Sequence, residues 1–226
     1  MNHHYLLLIV INVSIPRTRS ISDLGVTYSS DFSFSDHIHS TVLKANRLLG
    51  FIYRSSKSHF NLNSLKILFE SLVVPILTYA SVIWSPYTDK ESKLLEGVYH
   101  RFLRYLCYLS GHPMDFKDHD YSFAIHQFKI PSIQNLHDYY DFLTVFKTIN
   151  DITKVSRLKE LFTRRTLSYN IREPRILEEY HFKSDFLHHS SIPRTIRKWN
   201  KLPSEMRSLN SVGIFKSSIK SYIYKF

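Results

Sequence analysis

At 226 residues the chain is long enough for one large domain or two small ones, and with 43% hydrophobic and 22% charged residues it is not a wholly disordered polymer. Five glycines argue against a Gly-rich phosphate loop or a turn-dense β protein, and the single cysteine, Cys107, leaves no disulfide framework and no cysteine metal site. The formal net charge of +11, from 30 Lys+Arg against 19 Asp+Glu, points to a polyanionic partner, nucleic acid before membrane, in a reducing intracellular compartment, nuclear or cytoplasmic.

Residues 5 to 13 are apolar but too short to span a bilayer, and they lack the basic flank and small-residue cleavage site of a signal peptide. They read as a buried strand. Beyond Pro16-Arg17-Thr18-Arg19, Ser20 to Tyr28 reads as a second strand, with Gly25 at a bulge or a close backbone approach. Ser35 then suits the N-cap of a first helix running to about His59. Its apolar stripe is Ile38, Val42, Ala45, Leu49 and Ile52, and Lys44, Arg47, Arg54 and Lys57 occupy the other side.

Residues 64 to 109 predict two helices joined by a Trp84-Ser85-Pro86 corner. In the first, Leu65, Leu68, Phe69, Leu72, Ile76, Ala80 and Ile83 share a face, and Pro75 should kink it because proline cannot donate to the Ser71 carbonyl. Thr88 and Glu91 form a capping box for the second, whose core arc is Leu94, Leu95, Val98, Phe102, Tyr105 and Leu109. Lys93, His100 and Arg104 lie within about 40° of one another on the opposite side, with Gly97 and Arg101 beside them.

Gly111-His112-Pro113 ends that helix, and the polar stretch after it is the expected internal boundary. Ile130-Pro131-Ser132 opens a helix to about Asn150 with a broad apolar arc. Residues 151 to 191 read as basic and irregular. Next come a short helix from Ile192 to Asn200, a turn at Leu202-Pro203-Ser204-Glu205 and a last helix capped by Ser211, with Val212, Phe215, Ile219, Tyr222 and Phe226 on one face.

Chemistry has little to stand on. The sequence contains no Asp-Asp pair, and Asp118-His119-Asp120 reads as a polar loop after a helix stop rather than a metal site. His3-His4, His181 and His188-His189 lack cysteine partners and the usual paired spacing for zinc. No nucleophile elbow is present, so no catalytic residue, metal or cofactor is expected. The basic faces are the positive signal. Lys44, Arg47, Arg54 and Lys57 on one helix and Lys93, His100, Arg101 and Arg104 on another are placed to touch phosphates. Arg194, Arg197, Lys198 and Lys201 around Trp199 form a third cluster, in which Trp199 is either a stacking platform or, the favoured reading, a core anchor.

Taken as a set, these residues resemble a known family. Asp23-Leu24-Gly25-Val26, Phe34, His37-Ile38, Lys44-Ala45-Asn46-Arg47, Leu49-Gly50-Phe51-Ile52 and Arg54 are similar to the stretch after the palm in jockey-like non-LTR retrotransposon reverse transcriptases. Leu72 to Ser81, Trp84-Ser85-Pro86, Leu95-Glu96 and Arg101-Phe102-Leu103-Arg104 continue the likeness through what would be the thumb. Ile130-Pro131-Ser132-Ile133, Phe142, Lys147, Trp199-Asn200-Lys201-Leu202-Pro203 and Phe215-Lys216 resemble the C-terminal region. The sequence departs at Tyr99, where the family often has Gln, and at His137-Asp138, where it often has paired arginines. The family's aromatic-x-Asp-Asp catalytic strand lies upstream of Asp-Leu-Gly-Val and has no counterpart here.

The resemblance implies a catalytically incomplete fragment of an RNA-directed DNA polymerase that retains a template–primer-binding thumb. A non-functional product of a decayed mobile element and a repurposed protein-interaction module are the alternatives. The expected fold is mainly α. It comprises a residual palm-like β element at 1–34, a thumb-like helical bundle at 35–111 and a helical C-terminal region at 112–226, irregular and basic at about 151–191. The expected partner is an RNA–DNA hybrid or duplex, held by its phosphates, and not a membrane.

Overall fold

The computed structural model describes residues 18–56, 61–111, 121–163 and 176–224. The architecture is mainly helical, with one short antiparallel hairpin at its N-terminal end. The apolar strand read at 5–13, the residues Lys57 and Phe226, and the cluster at Asp118 lie outside the described residues.

Ser20 to Tyr28 is not one strand but two. β1 (Ser20–Asp23) and β2 (Val26–Ser29) pair with Ser20 opposite Ser29 and Asp23 opposite Val26. Leu24 and Gly25 both have positive φ, 46° and 81°, the two-residue turn that matches the right-handed twist of a hairpin. The close approach expected at Gly25 is also present. The Tyr79 ring lies 3.5 Å from where a Cβ on Gly25 would sit, and the Tyr79 hydroxyl donates to the Leu24 carbonyl at 2.9 Å.

Helix α1 (Ser35–Ser55) buries Ile38, Val42, Ala45, Leu49 and Ile52, the stripe read from sequence. Ser35 does not cap it. Its hydroxyl instead donates to the Glu91 carboxylate, which also accepts the Thr88 hydroxyl at 2.9 Å. The next helical run is α2 (Leu62–Leu68), a π turn (Phe69–Val73) and α3 (Val74–Thr78). Within it Val74 N–H donates to the Phe69 carbonyl, five residues back, in place of the four-residue step. That extra residue rotates the C-terminal half of the run, so the buried set is Leu65, Phe69, Val73 and Leu77 rather than the predicted Leu72, Ile76 and Ile83. Pro75 sits in the first turn after the π segment, where its missing donor is tolerated. The chain breaks at Ala80 instead, held at φ 52° because the Trp84 indole N–H captures the Tyr79 carbonyl at 2.7 Å.

After α4 (Ser81–Trp84), helix α5 (Asp89–Leu109) begins with Thr88 accepting from Glu91 N–H. Its buried arc is wider than the sequence suggests. Tyr99, Leu103, Leu106 and Cys107 are buried as well, because α6 (Ser122–Phe128) and α7 (Ile133–Ile149) cover that side. Leu109, expected in the core, is exposed.

The remaining helices are α8 (Ser156–Glu160), α9 (Asp185–His189), α10 (Ser191–Asn200), α11 (Ser204–Arg207) and α12 (Val212–Ile223). The apolar residues form two clusters that divide inside α7: Ile133 packs with α1, α5 and α6, and Phe142 and Phe146 with Trp199, Phe215 and Ile219. Residues just after the polar stretch, Tyr121 and Ala124, belong to the first cluster. No helix among the described residues is long and apolar enough to cross a membrane.

A polar core bolts the two clusters together. His137 is buried and flanked by the Trp84 ring at 5.3 Å. Its Nε2–H donates to the Leu77 carbonyl at 2.9 Å, so the neutral ring accepts the Ser85 hydroxyl at Nδ1, 2.6 Å away. Burial lowers its pKa to about 4, only partly opposed by the Leu77 carbonyl and Asp141. The unfolded chain therefore binds a proton that the fold refuses. Stability is fully present above about pH 6.5 and falls as pH drops from there toward 4, by on the order of 3 kcal/mol for this group. Denaturant titrations across that window should show the loss, and His137→Gln should flatten the profile; an unchanged slope in the variant would contradict this.

Candidate nucleic-acid interface

Three contacts fix how α1 and α5 lie. Ser35 meets Glu91, Asn46 Oδ1 accepts from Arg101 Nη1 at 2.5 Å, and the Tyr53 and Tyr105 rings lie 4.3 Å apart. Residue numbers rise together on both helices, so the pair is parallel. Each helix keeps its apolar face toward the core and its basic face toward solvent, and parallel packing places the two basic faces side by side.

On α1, Arg47 and Arg54 are exposed, and the Arg54 guanidinium folds over Gly50, 3.4 Å from where a Cβ would stand. On α5, Arg101 and Arg104 are exposed on the side of the seam. The buried Tyr53 hydroxyl lies within electrostatic reach of both. Burial raises its pKa, and the positive charges of Arg101 and Arg104 pull it back. None of these arginines pairs with a carboxylate among the described residues.

The other expected members are placed differently. Lys44 lies at the far edge of α1 near His37, whose pKa is lowered by burial and by the Lys44 charge. Lys93 is exposed beside Glu96, about two turns before Arg101. His100 turns away from the seam and stacks on Tyr121, with centroids 3.6 Å apart.

The cations of α10, expected to face a ligand, turn inward instead. Arg194 is only 8% exposed; its guanidinium donates to both Asp141 oxygens and to the Val82 and Ser85 carbonyls. Lys198 bridges Asp138 at 2.5 Å and Asp141 at 2.8 Å. Arg197 is half-buried with Nη1 3.4 Å from His188 Nδ1, and Trp199 is fully buried as a core anchor. A guanidinium taken out of water must be paired, so the charge of Arg194 and Lys198 is consumed inside the fold. Sequence spacing shows the cations on α10 but not the carboxylates of α7 that meet them.

No protein-family model, curated protein or solved structure matches this chain. Among the described residues no group of His, Cys, Asp and Glu is arranged to hold a metal.

Of the seam residues, Tyr105 lies in the apolar arc read from sequence and Asn46 in the Lys44-Ala45-Asn46-Arg47 motif, whereas Tyr53 carries no sequence signal of its own. Their role appears only once the two helices are paired.

Arg194→Ala should destabilise the protein by about 3–5 kcal/mol in denaturant unfolding, since Asp141 is left buried without its partner. A cost under about 1 kcal/mol would mean the pair is not what joins α10 to α7. Gly50→Ala and Gly97→Ala should each stabilise by about 0.5–1 kcal/mol, because both glycines are mid-helix and an added methyl meets only the flexible end of Arg54 or nothing within 4 Å. Destabilisation at Gly97 would refute the packing described.

Proposed function

We propose that the α1–α5 face holds the sugar–phosphate backbone of a nucleic acid, and that the chain is the thumb and C-terminal part of a jockey-like non-LTR retrotransposon reverse transcriptase without its catalytic Asp-Asp strand. The observation that carries the binding reading is the set Arg47, Arg54, Arg101 and Arg104, exposed and without carboxylate partners among the described residues, on parallel helices tied by Arg101 to Asn46. Arginine presents a planar fork suited to phosphate oxygens, and the excess of positive charge draws a polyanion from a distance. The family assignment is supported by the motif set alone, from Asp23-Leu24-Gly25-Val26 to Trp199-Asn200-Lys201-Leu202-Pro203.

A second reading, docking onto another protein, is favoured by the exposed apolar side chains Ile21, Leu24 and Phe32 around the hairpin.

The test is fluorescence anisotropy with an RNA–DNA hybrid carrying a single-stranded extension. With four phosphate contacts, log affinity should fall against log salt with a slope of about −3 to −4, and Arg101→Glu with Arg104→Glu should weaken binding and flatten that slope by about 2. Absent or salt-insensitive binding would remove the reading. Binding unchanged by the charge reversals would move it to another surface.

A further inference from the structure

We infer that the α1–α5 face takes single-stranded nucleic acid, with bases stacked on Phe51 and Tyr108, in preference to a duplex. The inference rests on the nucleic-acid reading above and adds which form of the polymer is bound.

Phe51 is 54% exposed and Tyr108 is 72% exposed. Each stands among the cations of its own helix. Phe51 follows Arg47 by four residues and precedes Arg54 by three; Tyr108 follows Arg104 by four and Arg101 by seven. Residues at these spacings are surface neighbours on a helix. Leu43, four residues before Arg47, is exposed on the same side of α1. Singly scattered surface rings need no explanation. Here both helices of the pair repeat one pattern, an exposed ring between or beside exposed arginines.

A surface that grips a duplex meets the outside of the polymer, which is phosphate and sugar, because the base faces are hidden in the stack. An apolar ring raised among the cations would then press on charged oxygens and strip their water without return. A single strand offers both groups at once: phosphates for the arginines and a π-face on every base for the rings. Stacking of this kind is sequence-tolerant, so no base preference is expected.

The test compares a thymidine 20-mer with a blunt duplex of the same length by anisotropy at one salt concentration, on the full chain. The single strand should bind at least tenfold tighter. Phe51→Ala and Tyr108→Ala should each lower single-strand affinity at least fivefold while leaving duplex affinity within about twofold, and Phe51→Trp and Tyr108→Trp should retain it. Both positions are exposed, so circular dichroism should show the variants folded. Equal or tighter duplex binding, or alanine variants that bind the single strand normally while Arg101→Glu does not, would overturn the inference and leave the backbone interface standing. Failure of both polymers to bind would remove interface and inference together.

Discussion

The parallel packing of α1 against α5 is the constraint on which the rest of the molecule depends. It is set by contacts spread over the full length of both helices, from Ser35 with Glu91 to the Tyr53–Tyr105 ring pair. These lie over a buried apolar seam that includes Leu49, Ile52, Val98 and Phe102. Two amphipathic helices with basic outer faces can pair in either direction. Only the register seen here brings Asn46 to Arg101 and the Tyr53 ring to Tyr105. The face is thus a consequence of packing.

The fold sorts its positive charge by environment. Arginines that face water on α1 and α5 are left available, whereas Arg194 enters the interior and is met by Asp141 and two backbone carbonyls. Arg207 is likewise buried and donates to the Leu202 carbonyl at 3.1 Å. Net charge alone cannot separate these uses, since a buried pair contributes to composition as much as a solvated one. Arg194, Lys198 and His137 serve instead to join α10 and α7 to the α3–α4 corner, which makes the C-terminal helices one folded unit with the bundle.

Periodicity made the helices of the bundle legible. The α1 stripe, the Thr88–Glu91 start of α5, the opening of α7 after Ile130-Pro131-Ser132 and the left-handed Gly111 all stand where the sequence places them. What it missed was non-local or depended on one inserted residue. The π turn at Phe69–Val73 shifted a buried face by one position, which no 3.6-residue template anticipates. The hairpin hid inside one apparent strand because its turn uses Leu24, a residue that seldom takes positive φ. Of the predicted cations, Arg47, Arg54, Arg101 and Arg104 are exposed on the paired helices, while His100 stacks on Tyr121 and Arg194 and Lys198 of α10 are claimed by Asp138 and Asp141, some 53 to 60 residues away in sequence.

The proposed role of the chain reduces to one surface, and residue-level mapping of that surface tests it most directly. Backbone amide shifts should be recorded while the thymidine 20-mer is titrated into labelled protein. The account predicts that the perturbed amides cluster on the outer faces of α1 and α5, around Arg47, Phe51, Arg54, Arg101, Arg104 and Tyr108, and spare the residues around Trp199. Shifts confined to the hairpin or to α10, with α1 and α5 silent, would contradict it.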